Sequence, residues 1–176
     1  MIITTHFANV PVELETNGFD GRIDIDRLTS INYENLFGEA VTVSALLNKV
    51  GILRAEAEKV VAEKKLEKDI YEADRKKFYR RQAQKNGGKF FFDNDEIKMS
   101  EKALEEVILL DEEYQQLSCE LIEAQKNFAI LDTLQWSVQD KSRKLNNLLK
   151  PVTPAEFLQE LVDGEVNSFL IRKKGF

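Results

Sequence analysis

One long stretch, residues 107–149, decides the fold of this chain: VILLDEEYQQLSCELIEAQKNFAILDTLQWSVQDKSRKLNNLL. Its mostly apolar positions recur at steps of three and four residues, which is the spacing of one face of an α-helix. These positions are Val107, Leu110, Tyr114, Leu117, Leu121, Ala124, Phe128, Leu131, Gln135, Val138, Ser142, Leu145 and Leu149. The stretch predicts a long helix that begins after an N-cap at Ser100 and runs to Lys150.

A second long helix is predicted before this stretch, from about Gly38 to Gln84. No proline interrupts it, and its apolar residues keep the same spacing. They are Val43, Leu46, Val50, Leu53, Ala57, Val60 and Val61. Asn86-Gly87-Gly88 ends this helix, because glycine tolerates the left-handed backbone of a helix C-terminus. Two such helices joined by one glycine-containing turn predict a mainly α fold, a long antiparallel, coiled-coil-like hairpin.

The sequence divides into three parts. Residues 1–35 alternate short apolar runs with turn signals, which predicts an N-terminal extended or β arm of two or three short strands. Residues 36–150 form the helical hairpin, with a basic tip around residues 75–92. Residues 151–176 form a short C-terminal helix and a docking tail. That helix opens with the capping box of residues 153–156, TPAE, and ends at about Val162.

The composition argues against several classes of protein. Among 176 residues there is one histidine, His6, and one cysteine, Cys119, and no nucleotide-binding, hydrolase or zinc motif occurs. We therefore expect no enzyme and no cofactor. The N-terminus lacks the pattern of a signal peptide, and the longest apolar run, Val107 to Leu110, is far short of the roughly 20 residues that span a bilayer. We expect a cytoplasmic protein without a membrane partner.

Isolated polar residues give weaker signals. Asp24 and Asp26 would share one face of a strand, where charge more often discourages aggregation than binds a cation. Residues 93–96, DNDE, lack the glycine and the distal glutamate of an EF-hand loop, so we expect no metal there. His6 is expected to be a packed or exposed residue of the arm, and Cys119 a small filler of the helix. An enzyme built on these residues is the least favoured reading.

Charge is strongly segregated along the chain despite a net charge of only -6. Residues 75–89 hold seven basic residues and no acidic one, whereas residues 93–123 hold eleven acidic and two basic ones. On a helical wheel the basic residues cover most of the circumference, so little of this tip is expected to pack. Phe78 and Tyr79 lie within the basic run, and residues 90–92 are three consecutive phenylalanines. At least one of the three phenylalanines at 90–92 should be accessible to solvent, because adjacent side chains of an extended segment point in different directions.

Cations interleaved with accessible rings suit single-stranded nucleic acid, since cations track phosphates and rings stack on bases of any identity. The sequence contains no helix-turn-helix, zinc-ligand or bZIP pattern, so it gives no sign of sequence-specific recognition of duplex DNA. Two plainer alternatives stay open: the basic run as a solvated helix face, and residues 90–92 as a hydrophobic plug that closes the tip.

An apolar row flanks the main stripe of the second helix at intervals of seven residues. It passes through Ile108, Gln115, Ile122, Ala129 and Trp136. One partner helix cannot cover both the stripe and this row, so we expect a homo-oligomer whose interface includes Ile108, Ile122 and Trp136.

The sequence resembles the UvsY-type recombination mediators of T-even-like phages between residues 24 and 149. The likeness lies in the order DIDRL, LLNKVGILRAEAEKVVAEKKL, RKKFYRRQAQKNGG and LDTLQWSVQDKSRKLNNLL. The resemblance implies an all-helical oligomer that binds single-stranded DNA, weakens the grip of the single-strand-binding protein and helps a RecA-like recombinase nucleate its filament. It would act in the cytoplasm of a bacterial host, and its DNA-contacting segment would fall here on Lys64, Lys65, Lys68 and residues 75–89.

Together these arguments predict one nucleic-acid interface. Its residues are Lys64, Lys65, Lys68, Arg75, Lys76, Lys77, Phe78, Tyr79, Arg80, Arg81, Lys85, Lys89, Phe90, Phe91 and Phe92. The alternative function is a phage structural or assembly protein, a helical scaffold or adaptor whose basic tip meets an acidic protein surface. Binding to short oligonucleotides would separate the two.

Overall fold

The computed structural model describes residues 1–7, 10–16, 18, 20–150, 159 and 162. The protein is mainly helical, with a short N-terminal strand region, as predicted. Its contacts form two compact units: Met1–Arg54 with Ile130–Phe176, and Ala55–Ala129. The fifty-residue helix α2 (Leu36–Lys85) and helix α4 (Glu112–Leu149) each contribute to both units.

The first unit opens with a three-stranded sheet of order β2-β1-β3. Strand β1 (Ile2–Phe7) pairs antiparallel with β2 (Val10–Glu15) and parallel with β3 (Arg22–Asp24). Ile3, on the central strand, is fully buried. The strands expected in residues 1–35 are therefore present, followed by the short helix α1 (Ile25–Thr29) and a 3-10 turn, Tyr33–Asn35.

The expectation that Asp24 and Asp26 share one strand face is wrong. Asp24 ends β3 and is the N-cap of α1, where its side chain accepts a hydrogen bond from the backbone N–H of Arg27 at 3.0 Å. Asp26 lies inside α1 and accepts from the backbone N–H of His6 at 2.8 Å, while its carboxylate lies 2.9 Å from His6 Nδ1. Aspartate at a strand end favours capping the helix that follows, because its short side chain satisfies an otherwise unpaired N–H.

Helices α2 and α4 contact each other in opposite order within the first unit. Glu39 of α2 pairs with Lys141 of α4, whereas Arg54, further along α2, pairs with Asp132, earlier in α4, at 2.6 Å. Around these ion pairs the predicted apolar stripes supply most of the core, and Leu134, which is not a stripe position, joins them. Val43 and Val50 of α2, and Leu131, Leu134, Val138 and Leu145 of α4, are all buried.

The second unit differs from the sequence prediction at Asp111, where the expected continuous helix from Ser100 to Lys150 is broken. Ser100 caps α3 (Glu101–Leu110) as predicted, but α3 ends at Asp111, whose backbone is extended. The Asp111 carboxylate accepts from the backbone N–H groups of Glu113 and Tyr114 at 3.1 and 3.2 Å. Asp111 therefore ends one helix and caps the next.

A β-hairpin stands where a simple glycine turn was expected between the helices. Gly87 and Gly88, both with positive φ, end α2 as predicted. Strand β4 (Lys89–Phe92) then pairs antiparallel with β5 (Asp95–Lys98). The two residues between them, Asp93 and Asn94, have φ of 47° and 71°. That combination is the type I′ turn, which matches the twist of paired strands.

The first part of the long helical region is unusually apolar for its exposure. By length and composition alone, the helix Tyr33–Lys85 contains an 18-residue stretch apolar enough to cross a membrane, and only 11% of that stretch is buried. Among the large apolar side chains here, Val41 is 55% exposed and Ile52 65% exposed.

The predicted C-terminal helix and docking tail fall almost entirely outside the described residues. Gln159 and Val162 are described, and both are helical and exposed. The capping box of residues 153–156 and the final basic tail lie outside the described part of the chain.

Candidate nucleic-acid interface

The core of the second unit organises the predicted interface. Tyr79 and Ala83 of α2 pack with Phe90 of β4 and with Leu104 and Val107 of α3, and each of these side chains is at most 4% exposed. The Tyr79 and Phe90 rings lie 5.0 Å apart between centroids. The β-hairpin therefore packs on α2 and α3 through the buried ring of Phe90.

Three of the five predicted aromatic residues are thereby engaged in packing. Tyr79 and Phe90 are buried, and Phe92 is half-buried against the same cluster. Their burial follows from strand alternation, which turns Phe90 and Phe92 to the same side and Phe91 to the other. The alternative reading of residues 90–92 as a hydrophobic plug thus describes Phe90 and Phe92, whereas Phe91 is 45% exposed.

Phe78 and Phe91 remain accessible. Phe78 is 53% exposed on α2. The backbone N–H of Phe91 donates to the side-chain oxygen of Gln82 at 2.9 Å, and Gln82 lies one helical turn after Phe78. This bond fixes the position of Phe91 beside the same part of α2. Gln82 was missed by the sequence analysis, because no sequence signal marks a helix residue that holds a strand.

Four of the seven basic residues between Arg75 and Lys89 form ion pairs within the chain. Lys76 Nζ lies 2.6 Å from Glu72, and Lys89 Nζ lies 2.9 Å from Glu96. Arg80 donates to both carboxylate oxygens of Glu101, at 2.9 and 2.8 Å. The expectation that little of this end packs is correct for most of residues 75–89, which are exposed, but Tyr79 and Ala83 are buried. Acidic side chains of α3 and β5 also pair with two of the cations.

Arg75 is the most constrained of these cations. It donates to Oδ2 of Asp111 from Nε at 2.9 Å and from Nη2 at 2.5 Å, and Tyr71 donates its hydroxyl to Oδ1 at 2.6 Å. Asp111 is only 7% exposed. A buried carboxylate needs such partners, since an unpaired charge in this position would be costly. Arg75 is thus a structural residue of the second unit.

The charge of Asp111 is favoured by its surroundings. Burial raises its pKa, but hydrogen bonds from Tyr71 and Arg75 and from the backbone N–H of Tyr114 lower it by more, so the net pKa of Asp111 lies below the ordinary value of 3.8. Burial and the hydrogen bond to Asp111 together raise the pKa of the Tyr71 hydroxyl. Tyr71 therefore stays neutral as the donor of this bond.

Three cations are left exposed on one line of α2. Lys77, Arg81 and Lys85 are spaced by four residues, and within the described part of the chain none of them forms an ion pair. Residues four apart lie on the same helix face, one turn above another. Phe78 is adjacent to this line in sequence. Within residues 75–92, these three cations and the two exposed rings are open to a ligand. We call these five residues the open face.

The earlier lysines of α2 lie apart from the open face. Lys64 pairs with Glu67 at 3.0 Å and with Glu120 at 2.7 Å. The hydrogen bonds from Glu120 and Glu67 raise the pKa of Lys64. Lys68 lies over the Tyr114 ring at 4.8 Å from its centroid. Lys65 is exposed.

An acidic groove occupies another surface of the second unit. Its volume is about 770 Å³. Six carboxylates line it: Glu67, Asp93, Asp111, Glu112, Glu113 and Glu120. Arg75 is its basic lining residue. Such a surface repels polyanions.

The predicted oligomer residues differ in exposure. Ile108 is only 2% exposed, because α3 packs it inside the second unit, so its side chain is not available to a second copy. Ile122 is 63% exposed and Trp136 60% exposed. Cys119 is also exposed, so the expectation that it fills space within the helix packing is wrong.

No group of three or more His, Cys, Asp or Glu side chains among the described residues is arranged to hold a metal ion. Comparisons of the chain with protein-family models, curated proteins and solved structures yield no match.

Proposed function

We propose that the protein binds single-stranded DNA through the open face and acts, without chemistry of its own, as a recombination mediator that helps load a RecA-like recombinase. The observation that carries the proposal is the line of Lys77, Arg81 and Lys85 beside the exposed rings of Phe78 and Phe91. Cations at four-residue spacing track a phosphate backbone, and accessible rings stack on unpaired bases at about 1–3 kcal/mol per base.

The same geometry favours single strands over duplex. Base faces are available for stacking only where the bases are unpaired, and a ring stacks on a base of any identity. Binding is therefore expected to depend little on sequence. It is expected to depend strongly on salt, because each phosphate contact releases counterions.

The proposed assembly is a long antiparallel helical hairpin that associates into a homo-oligomer. The exposed side chains of Ile122 and Trp136 support it, since large apolar side chains at this exposure on a helix are commonly covered by a partner. An oligomer places several open faces on one strand, and the linked sites raise the overall affinity without any new contact. Several weak sites of three cations each would then suffice.

The mediator role rests on the resemblance of residues 24–149 to the UvsY-type family. A protein that grips single strands by stacking competes with a single-strand-binding protein for the same bases. Local displacement of that protein would give a RecA-like recombinase a site at which to nucleate.

The test is an equilibrium titration of fluorescent oligo-dT and of a blunt duplex of equal length, at low and moderate salt, beside light scattering of the free protein. Tighter binding of oligo-dT and a mass well above 20.3 kDa are expected. A second titration on a strand coated with single-strand-binding protein tests displacement. Equal affinity for the duplex would contradict the single-strand proposal, and a monomeric mass at all concentrations would contradict the oligomer.

A second candidate is a structural or assembly adaptor, and one observation favours it. Four cations of the basic run already bind carboxylates within this chain, which shows that the surface is suited to acidic side chains. An acidic protein surface could engage the open face in the same way. The absence of oligo-dT binding at low salt by a correctly folded oligomer would favour this candidate.

A further inference from the structure

One line of residues along α4 is exposed to solvent throughout. Its members recur at steps of four and three residues, on the side of the helix away from the buried Leu117, Leu131 and Val138. We call this line the outer strip. It consists of Gln115, Cys119, Ile122, Lys126, Ala129, Thr133, Trp136, Asp140 and Arg143.

The outer strip carries little charge for a surface in contact with water. Nine residues of α4 from Gln115 to Trp136 are exposed, and Lys126 is the only charged one among them. Ile122 is 63% exposed, and Trp136, the only tryptophan of the chain, is 60% exposed. A helix face directed to solvent normally carries charged side chains, whereas apolar residues at steps of three and four form the seam of a helix pair. The strip thus has the composition of a helix-helix contact.

The charges of the strip disfavour a parallel pair of two such strips. In a parallel pair in register, each residue faces the same residue of the second copy. Lys126, Asp140 and Arg143 would then each face a like charge, which is repulsive at an interface. An antiparallel pair places each residue opposite a different one and avoids this repulsion.

Charge also selects one antiparallel register. When Ala129 faces Thr133 of the second copy, Lys126 faces Trp136 of that copy and lies beside its Asp140. The cation then meets a ring and a carboxylate, both of which attract it. A shift of seven residues towards the N-terminus brings the two Lys126 side chains together, and the same shift towards the C-terminus places Lys126 opposite Arg143.

The charges concerned are available for this contact. Lys126 lies 3.0 Å from Glu123, and Asp140 lies 2.7 Å from Lys144. Both pairs lie on α4 itself and are exposed, and such pairs contribute little to stability. The small side chains of Ala129 and Thr133 at the centre of the pair let the two helices approach closely.

We propose that the outer strip of α4 pairs with the outer strip of a second copy of this chain, antiparallel and with Ala129 facing Thr133. The proposal rests on the homo-oligomer of the proposed function and names the orientation and register of its interface. It does not depend on DNA binding.

Disulfide trapping in the full-length protein tests the register. In the proposed pair, residue 143 of the second copy faces Cys119, whereas the two Cys119 residues lie about 36 Å apart along the helices. Arg143→Cys, which retains Cys119, should therefore form a covalent dimer on oxidation with copper phenanthroline. The controls carry one cysteine each: the unaltered protein, and Cys119→Ser with Arg143→Cys. We expect both controls to form covalent dimers about tenfold more slowly or worse, because their thiols are out of reach of each other.

Charge reversal tests the contact of Lys126 without any added cysteine. Lys126→Glu should raise the dissociation constant of the oligomer about tenfold, because it removes the cation from the Trp136 ring and places a carboxylate beside Asp140. Adding Asp140→Lys should recover much of the affinity. Lys102→Glu is the matched control, since it makes the same change of charge on the exposed surface of α3. Light scattering measures the association, and circular dichroism confirms that each variant is folded.

The emission of Trp136 reports on the interface of the unaltered protein. Burial of its indole in the pair should shift the emission to shorter wavelength as the protein concentration rises through the dissociation constant. The Lys126→Glu variant should show this shift only at higher concentration.

The outcomes separate this proposal from the one on which it rests. A monomeric mass at all concentrations would overturn both. An oligomer in which Cys119 joins Cys119 as fast as it joins residue 143 would overturn the antiparallel register and leave the oligomer standing. An oligomer that forms without a shift of the Trp136 emission, and without the 119–143 disulfide, would place the interface away from the outer strip.

Discussion

Arg75 and Asp111 form an ion pair in which two guanidinium nitrogens donate to the same carboxylate oxygen, at 2.9 and 2.5 Å. The pair joins α2 to the point where α3 ends and α4 begins. The pair engages within the protein a cation that the sequence analysis assigned to the predicted interface. Position in a basic run therefore does not by itself make a residue available to DNA.

Replacing Asp111 by Ala should destabilise the protein by about 2–4 kcal/mol, because it removes the cap of α4 and leaves Arg75 and Tyr71 without their acceptor. Urea unfolding followed by circular dichroism measures the change in free energy. Glu101→Ala is the matched control, since Glu101 also binds an arginine but is exposed, and exposed pairs contribute about 0–1 kcal/mol. Equal effects of the two variants would show that the buried ion pair contributes no more to the free energy of unfolding than the exposed pair does.

The ionisation of Asp111 should contribute to the way the free energy of unfolding changes with pH. Its pKa in the folded protein is lowered below 3.8, so its contribution is present above the unfolded-state pKa and is lost as pH falls through the lower, folded-state pKa. Stability of the unaltered protein should therefore fall as the solution is acidified below about pH 4. Asp111→Asn should show a smaller fall over the same range. Parallel curves for the two proteins would contradict this assignment.

Replacing Lys77, Arg81 and Lys85 together by Ala should weaken oligo-dT binding and reduce the log-log salt slope by about 2, at roughly 0.7 per phosphate contact on single strands. Helicity and oligomer mass should not change, because all three side chains are exposed. A titration over several salt concentrations measures the slope. The control removes as many exposed lysines elsewhere, Lys102, Lys126 and Lys144. If that control lowers the slope as much, the DNA site is not the open face.

Replacing Phe78 and Phe91 by Ala should weaken single-strand binding by about 10-fold or more per stacked base, without changing the salt slope. The reason is that rings contribute stacking but release no counterions. The control is Val60→Ala, an exposed apolar residue of α2 away from the tip. Unchanged affinity of the double variant would leave electrostatics as the sole basis of binding.

The sequence predicted the long helices well because a buried stripe leaves a periodic trace over many residues. Gly87 and Gly88 marked the end of α2, because both have positive φ, a conformation that glycine adopts without strain. The break at Asp111 left no such trace, since Leu110 and Tyr114 continue the stripe across it. The hairpin was missed because Asp93 and Asn94 form a turn more often made with glycine. Pairing partners such as Asp111 for Arg75 lie far apart in sequence, and only the fold brings them together.

The open face was predicted only in outline for a related reason. Composition identified a basic, aromatic tip, and accessibility of at least one ring followed from strand geometry. Which cations would be neutralised depended on the register between α2 and α3, because Arg80 meets Glu101 while Arg81, one residue later, meets none of the acidic side chains described. A shift of one residue along a helix rotates a side chain by about 100°, so sequence proximity says little about pairing.

The two-residue turn at Asp93 and Asn94 also limits how this tip can change in evolution. With Phe92 paired opposite Asp95, the loop admits no spare residue to absorb an insertion. One residue added to β4 before Phe90 would exchange inside and outside, bringing Phe91 into the core and exposing its neighbours. Insertions of two residues keep the alternation, so descendants of this hairpin should differ in strand length by even numbers. The parity of the strand is then what keeps Phe90 and Phe92 packed while Phe91 stays accessible.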